Sequence, residues 1–311
     1  MAAAPWCALP AARARAADDA TTIVVGFAAG GVIDALARTL APRMSEALAM
    51  PVIVENRTGA GGRIAVGNVI AAPPNGRVLL LTPGAMITLQ PHVIRDLPYD
   101  PLTQLAPVAM IGSSNLAIVV AAPSPARDLD ELLRRFRREP ASASCGSPGA
   151  GSVAHFAMLD LARRAGVEVT VVHYRSALQV VEALLEGSLA AAPVVPSLVA
   201  PYIAAGKLRA LATTGPARDP RLPATPTLRE SGIDAVVREW AGVFAPAGTP
   251  APTVAAVATA TESAVRRIAD SKVDYGVEAE GIGPSRFSAL VGAEYRRWGE
   301  IVRVTGVKVE S

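Results

Sequence analysis

The stretch from Ile23 to Arg38 constrains the fold most. An apolar run, Ile23-Val24-Val25-Gly26-Phe27, breaks at Ala28-Ala29-Gly30-Gly31 and passes into a helical pattern with Asp34 in its first turn. A strand that turns through paired glycines into a helix leaves several backbone N–H groups without partners at the helix start, aligned with the positive end of the helix dipole. Such a tip suits a carboxylate or a phosphate. The same sequence of apolar run, glycine turn and helical pattern recurs at Asn56-Arg57-Thr58-Gly59-Ala60-Gly61-Gly62 and at Cys145-Gly146-Ser147-Pro148-Gly149-Ala150-Gly151-Ser152. Three such tips in one chain predict one shared anionic ligand.

A chain of 311 residues exceeds what a single hydrophobic core usually organises, which predicts two domains. Hydrophobic residues make up 51% of it and aromatic residues only 4%, so the core is built from Ala, Val, Leu and Ile, as repeated β-α units require. The formal charge is +3, carried almost entirely by arginine, with lysine only at positions 207, 272 and 308. No basic cluster is interleaved with aromatic residues, which argues against a nucleic-acid partner. The uncharged stretch from Gly187 to Gly206 is long enough to invite a membrane reading, but Pro193, Pro196 and Pro201 interrupt it, and it reads instead as a buried strand, a cleft loop and a short helix.

Two cysteines, Cys7 and Cys145, form no disulfide framework, and the three histidines have no metal-ligand spacing, so neither a metal nor a cofactor is expected. The glycine-rich turns lack the Gly-x-Gly-x-x-Gly order of dinucleotide sites and the Gly-Lys-Ser/Thr ending of triphosphate sites. Near the start, Ala14-Arg15-Ala16 before Ala17-Asp18-Asp19 resembles a small-residue signal cleavage site, but a charged n-region and an uninterrupted apolar h-region are missing, so either the leader starts upstream or the pattern is accidental; residues 1–17 are read as the remnant of a signal peptide and kept out of the fold.

Periodicity predicts strands at Thr22–Gly26, Pro51–Glu55 and Val78–Thr82, alternating with helices at Ile33–Leu48 and Ile64–Ala71. Continuous apolar strands of this kind belong to a parallel sheet covered on both faces. After Leu116–Ala122, Pro123 and Pro125 interrupt the pattern. It then restarts with a helix Asp128–Arg138, a strand near Ala143–Cys145, a helix Val153–Arg164, a strand Val167–His173, a helix Leu178–Glu186 and a strand Leu208–Thr213. Val236–Phe244 reads as a return crossing. The expected division is therefore residues 18–121 with 237–311 as one α/β lobe and 122–236 as the other, joined by two strands with a cleft between them.

Taken in order, several segments resemble the Bug-type solute-binding proteins, the periplasmic receptors of tripartite tricarboxylate transporters. They are Phe27-Ala28-Ala29-Gly30-Gly31 with Asp34 and Arg38, Val54-Glu55-Asn56-Arg57 running into Gly59-Ala60-Gly61-Gly62, and Leu97-Pro98-Tyr99-Asp100-Pro101 with Ala106-Pro107-Val108. Gly206-Lys207-Leu208-Arg209-Ala210-Leu211, Leu222-Pro223 with Pro226-Thr227, Trp240 with Gly242 through Pro250, and Tyr295-Arg296-Arg297-Trp298 continue the pattern. The resemblance implies a type II periplasmic-binding-protein fold. It also implies two lobes that close on a small organic acid, held by backbone N–H groups, hydroxyls and water, and a membrane transporter subunit or sensor as the partner of a monomer.

Carried over residue by residue, the resemblance assigns Phe27, Ala28, Ala29, Gly30, Gly31, Ile33 and Asp34 to the first ligand loop and Thr82, Gly84 and Ala85 to the loop after the third strand. It assigns Cys145, Gly146, Ser147, Gly149 and Ser152 to the second-lobe loop, with Ser176 and the cleft residues Val195 and Pro196 beside them. Three departures stand out: Cys145 replaces a serine, Tyr174-Arg175-Ser176-Ala177 replaces Tyr-Lys-Gly-Ser, and Leu189-Ala190 replaces Val-Asp. They imply a less polar pocket, suited to a monocarboxylate with an apolar or aromatic body.

Other roles compete for these residues. Gly30-Gly31 can serve tight helix–strand packing, and Asn56 with Arg57 can stabilise the lobe without meeting a ligand. Asp34 suits an early helical turn, and its charge would repel an anion if it faced the pocket. Trp240 reads as a hinge or core residue and Trp298 as core. Cys145 with His155 or His173 as base would make a cysteine-dependent acyl-transfer enzyme, the main alternative function.

Overall fold

The computed structural model describes residues 20–269 and 276–307; the expected leader at 1–17 and Cys7 lie outside them. In chain order the strands of the first part are β1 (Thr21–Val25), β2 (Val52–Asn56), β3 (Val78–Pro83) and β4 (Leu105–Asn115). Next come β5 (Ala117–Ala121), β6 (Ser144–Ser147), β7 (Thr170–His173), β8 (Ala192–Val194) and β9 (Leu208–Thr213). The last are β10 (Arg238–Pro246) and β11 (Glu278–Ile282).

A six-stranded sheet has the order β11-β4-β10-β3-β1-β2. β1 pairs in parallel with both β2 and β3, as the continuous apolar runs predict. The remaining pairs, β3 with β10, β10 with β4 and β4 with β11, are antiparallel. The reason is the route of the chain. β4 carries it out of this sheet and β10 brings it back alongside, so the two necessarily run in opposite directions.

The second sheet is β8-β5-β9, antiparallel throughout, and the parallel pair β6-β7 is tied to it by a bridge between Cys145 and Ala191. Only Leu116 separates β4 from β5, so the outward crossing falls there. Pro123 and Pro125, which predict a break after residue 121, mark the end of β5, and residues 117–121 pair within the second sheet.

Thr214 joins the outgoing and returning segments. Its backbone N–H donates to the Leu116 carbonyl (2.8 Å) and its carbonyl accepts from the Val237 N–H (2.8 Å). Its hydroxyl accepts from the Leu116 N–H (2.8 Å) and donates to the Val237 carbonyl (2.6 Å).

Strand alternation divides the first core into two layers. Ile23, Val25, Leu79, Leu81 and Val243 face the helices Val32–Leu48 and Ala251–Ala269. Val24, Leu80, Trp240 and Phe244 face Ala65, Val66 and Val69 of the helix Arg63–Ile70 and Phe287 and Val291 of the helix Pro284–Thr305. Each such side chain contributes about 1.5–3 kcal/mol when fully removed from water. The far end of Pro284–Thr305, with Trp298, Ile301 and Val302, packs against Val153, Phe156 and Ala157 of the helix Val153–Ala165. Contact between the two halves is thus made beside the crossing.

Candidate functional site

A cavity of about 310 Å³ opens beside the crossing. Val32 and Ile33, Pro83 to Ala85 and Thr88 line it from the first sheet's side, and Val153, Val195 and Ser197 line it from the second. Ser114 of β4 and Arg238 to Ala241 of β10 form the wall at the crossing, and Gly276, Val277 and Trp298 also line it. A larger surface depression, about 740 Å³, lies along the arginine-rich helix Leu129–Arg138 and contains no residue of the predicted site.

The helix that follows the first glycine loop reaches this cavity, whereas Phe27, Ala28, Ala29, Gly30 and Gly31 stand behind its tip and are not among the lining residues. The helix begins after Gly31, which offers no side-chain cap, and the first intrahelical bond runs from the Ala35 N–H to the Gly31 carbonyl (2.9 Å). The N–H groups of Val32 and Ile33 come before that bond, and both residues stand on the cavity wall. Gly30 has φ +85°, a conformation glycine adopts without strain, and a side chain there would meet nothing within 4 Å.

Asp34 serves a different purpose from ligand contact. Its buried carboxylate accepts from Arg38 Nε (2.9 Å), the Gly30 N–H (2.8 Å) and Asn56 Nδ2 (2.8 Å), while the same Asn56 amide donates to the Phe27 carbonyl (3.0 Å). The Arg38 guanidinium first, then the Gly30 amide, hold its carboxyl down at about 2. Asp34 locks the loop and presents no free charge to the cavity.

Gly84 and Ala85 also stand on the wall. The Gly84 N–H donates to the Trp240 carbonyl (2.7 Å), and a Cβ at 84 would fall 2.2 Å from the indole ring, so only glycine lets the loop lie on Trp240. Trp240 itself stacks edge-to-face on Phe287 with centroids 5.3 Å apart, joining core and cavity wall. Thr82 is buried in β3 opposite Gly242, behind the wall.

The second-lobe loop departs from expectation. Cys145 is 0% exposed, packed among the residues of the second core, and burial pushes its thiol up to about 12. It does not line the cavity and its thiol is closed to solvent, so the acyl-transfer alternative finds no support in its placement. Gly146 is a packing glycine, since a Cβ there would lie 2.5 Å from Leu189 and 2.9 Å from Val180. Ser147 is also fully buried, its hydroxyl engaged with the Gly149 carbonyl (3.0 Å) and His173 Nδ1 (2.8 Å).

His155 accepts from the Gly151 N–H (3.2 Å) and meets the His173 ring at 4.5 Å. Burial and then the neighbouring His173 lower it to about 4, and burial lowers His173. Ser152 caps the following helix through the His155 N–H (3.1 Å), leaving Val153 to reach the cavity. Ser176 caps the helix Ala177–Leu185 through the Gln179 N–H (3.2 Å) and does not line the cavity.

Val195 is on the wall, and the adjacent Pro196 opens the helix that carries Ser197. Gly59 to Gly62, the third predicted tip, lies elsewhere. The Gly62 Cα stands 2.8 Å from where a Gly26 Cβ would be, so this turn serves close packing and lines no part of the cavity.

Sequence reasoning missed Thr88, Ser114, Ser197, Arg238 and Glu239. A signal was available for the last two, a pair of charges opening an otherwise apolar crossing strand. Arg238 is held by Glu280 and Ser113, with Glu278 at 4.0 Å. The Glu239 carboxyl has no hydrogen-bond or ion-pair partner among the described residues, and burial pushes it up to about 7. No group of histidines, cysteines and carboxylates that could hold a metal occurs among those residues.

Residues 36–307 match the family described as the tripartite tricarboxylate transporter family receptor. The chain is 29% identical over 292 residues to protein BugT of Bordetella pertussis, covering 93% of this chain and 90% of that one. Among solved structures, a TctC solute-binding protein from Polaromonas, without ligand, superposes with a TM-score of 0.80 at 26% identity, covering 91% of this chain and 98% of its own. The R. palustris protein Rpa4515, solved with adipate, superposes at 0.77 with 29% identity, covering 94% and 98%.

Proposed function

This chain belongs to the tripartite tricarboxylate transporter receptor family, and from that premise we propose that it is a periplasmic receptor which captures a small carboxylate at the crossing cavity and presents it to a membrane transporter or sensor. The observation that carries the reading is the uncapped helix tip at Val32 and Ile33 on the wall of a cavity that both sheets line. A carboxylate at one such tip gains about 0.3–1 kcal/mol, rising to ~2 when partly buried, and exclusion of water strengthens it.

The two units, one around each sheet, would move about Leu116 and Val237, stapled by Thr214. No helix among the described residues is long and apolar enough to cross a membrane. The wall is dominated by Val32, Ile33, Val153, Val195, Trp240, Val277 and Trp298. That surface favours a carboxylate with an apolar or aromatic body, and the two carboxylates of the adipate in Rpa4515 are joined by an apolar chain.

Native mass spectrometry of freshly purified protein, followed by calorimetry with adipate, malate and benzoate, tests the proposal. A retained organic acid, displaced by one with an apolar body, is the expected result. Malate outbinding both other acids would overturn the specificity, and no binding of any carboxylate would overturn the receptor.

A further inference from the structure

Glu239 stands on the cavity wall in register with Ser114, which also lines it. Strand alternation places Glu239 on the same face of β10 as Ala241, and Ala241 packs in the layer under the helix Val32–Leu48. The carboxyl therefore shares its side of the sheet with the amide tip that would hold an anion. Among the described residues nothing neutralises it from the surrounding elements. Arg238, the other charged residue of the wall, is committed to Glu280, Glu278 and Ser113. Asp34 on the helix is enclosed by Arg38, Asn56 and Gly30, and Val153, Val195 and Ser197 bring no charge from the second sheet. His155 and His173 bond the glycine loop and do not line the cavity.

A charged glutamate beside a bound carboxylate would repel it, and two carboxylates sharing a low-dielectric site raise the proton affinity of one of them. A neutral carboxylic acid removes the repulsion and offers an O–H to an anionic acceptor, a strong class of hydrogen bond. We propose that Glu239 is a specificity-determining residue that carries a proton when the cavity holds an organic anion, so that capture is coupled to uptake of one proton by this side chain. The inference rests on the carboxylate-receptor reading above. Burial of the free carboxyl, which pushes it up to about 7, supports it by making the proton available near neutrality.

Calorimetry with adipate as the probe tests the coupling, at pH 6.5 and 8.5 in two buffers of different ionisation enthalpy, on the wild type and Glu239→Gln. A carbon-13 titration of the Glu239 carboxyl in ligand-free protein accompanies it. The wild type is expected to weaken about tenfold per pH unit above neutrality and to take up nearly one proton per adipate at pH 8.5. Glu239→Gln, which mimics the neutral acid, should bind with the same affinity at both pH values, take up none, and exceed the wild type at pH 8.5.

A pH-independent wild type without proton uptake would overturn the proposal. So would loss of adipate binding by Glu239→Gln at both pH values, which would show that a charged Glu239 pairs with a cation. If adipate binds neither protein, the receptor reading for that acid falls, and the carboxyl titration alone decides Glu239. A midpoint near 7 that rises further when benzoate or malate is added then upholds the coupling, and one near the ordinary 4.5, or one that neither acid moves, removes it.

Discussion

The loops Ala28–Gly31 and Cys145–Ser152 follow one sequence grammar and do opposite work. In the first, paired glycines leave a helix start uncapped on the cavity wall, held from behind by Asp34 and Asn56. In the second, Gly146 gives room to Leu189 and Val180, Ser147 turns inward to His173, and Ser152 supplies its own cap. Glycine reports that the backbone comes close to something. Whether that something is a ligand or the protein's own core depends on what the neighbouring elements place there, and a local pattern does not carry that information.

The contrast can be broken most sharply at Cys145. With Cys7 replaced by serine, alkylation of native protein should run about 10³-fold slower than of unfolded protein, because the thiolate fraction falls with a thiol pushed up to about 12. Equal rates would place the second loop at the surface. Next in size is a charge at the first tip. Ile33→Glu puts a like charge beside a bound carboxylate and should weaken binding on the order of 10²-fold, with little change in melting temperature. Ser152→Ala should do the reverse, costing about 1 kcal/mol of stability while affinity stays within about twofold.

Gly146→Val sharpens the packing side of the comparison, with an expected loss of about 1–3 kcal/mol in denaturant unfolding. An unchanged midpoint would show that Leu189 and Val180 yield freely. The two loops also differ in their response to acid. His155 is lowered in the fold to about 4, so the unfolded chain binds its proton first, and the second loop loses stability as pH falls from 6.5 towards 4. Asp34 is lowered to about 2, so the first loop keeps its stabilisation above the ordinary 3.8 and loses it only as pH falls towards 2. Hydrogen exchange, corrected for intrinsic rates, should show the Gly151 amide opening at pH 5 while the Gly30 amide remains protected.

Much of the fold was legible because its signals are local. The helix predicted from Ile33 to Leu48 begins one residue earlier, at Val32, and the strand Leu208–Thr213 matches residue for residue. β4 was missed because Pro107, Gly112, Ser113 and Ser114 interrupt any apolar run, and its conformation is fixed by pairing with β10 from far along the sequence. The crossing at Leu116 is set by the same long-range pairing. At the site, the tip residues Ile33, Gly84 and Ala85 and the cleft residue Val195 carry local signatures and line the cavity. Glu239 gains its significance only from the partners that the folded wall withholds.

Whether an organic anion sits at the helix tip of Val32 and Ile33 is decided by mapping backbone amide shifts of nitrogen-15-labelled protein as the acid released from purified protein is titrated back. The largest movements are expected at Val32, Ile33 and Ala85 and at the Trp240 indole, with Gly149 and Gly151 moving less. Movements centred on Gly149 to Gly151 or on the arginine-rich helix, with Val32 and Ile33 unchanged, would contradict it.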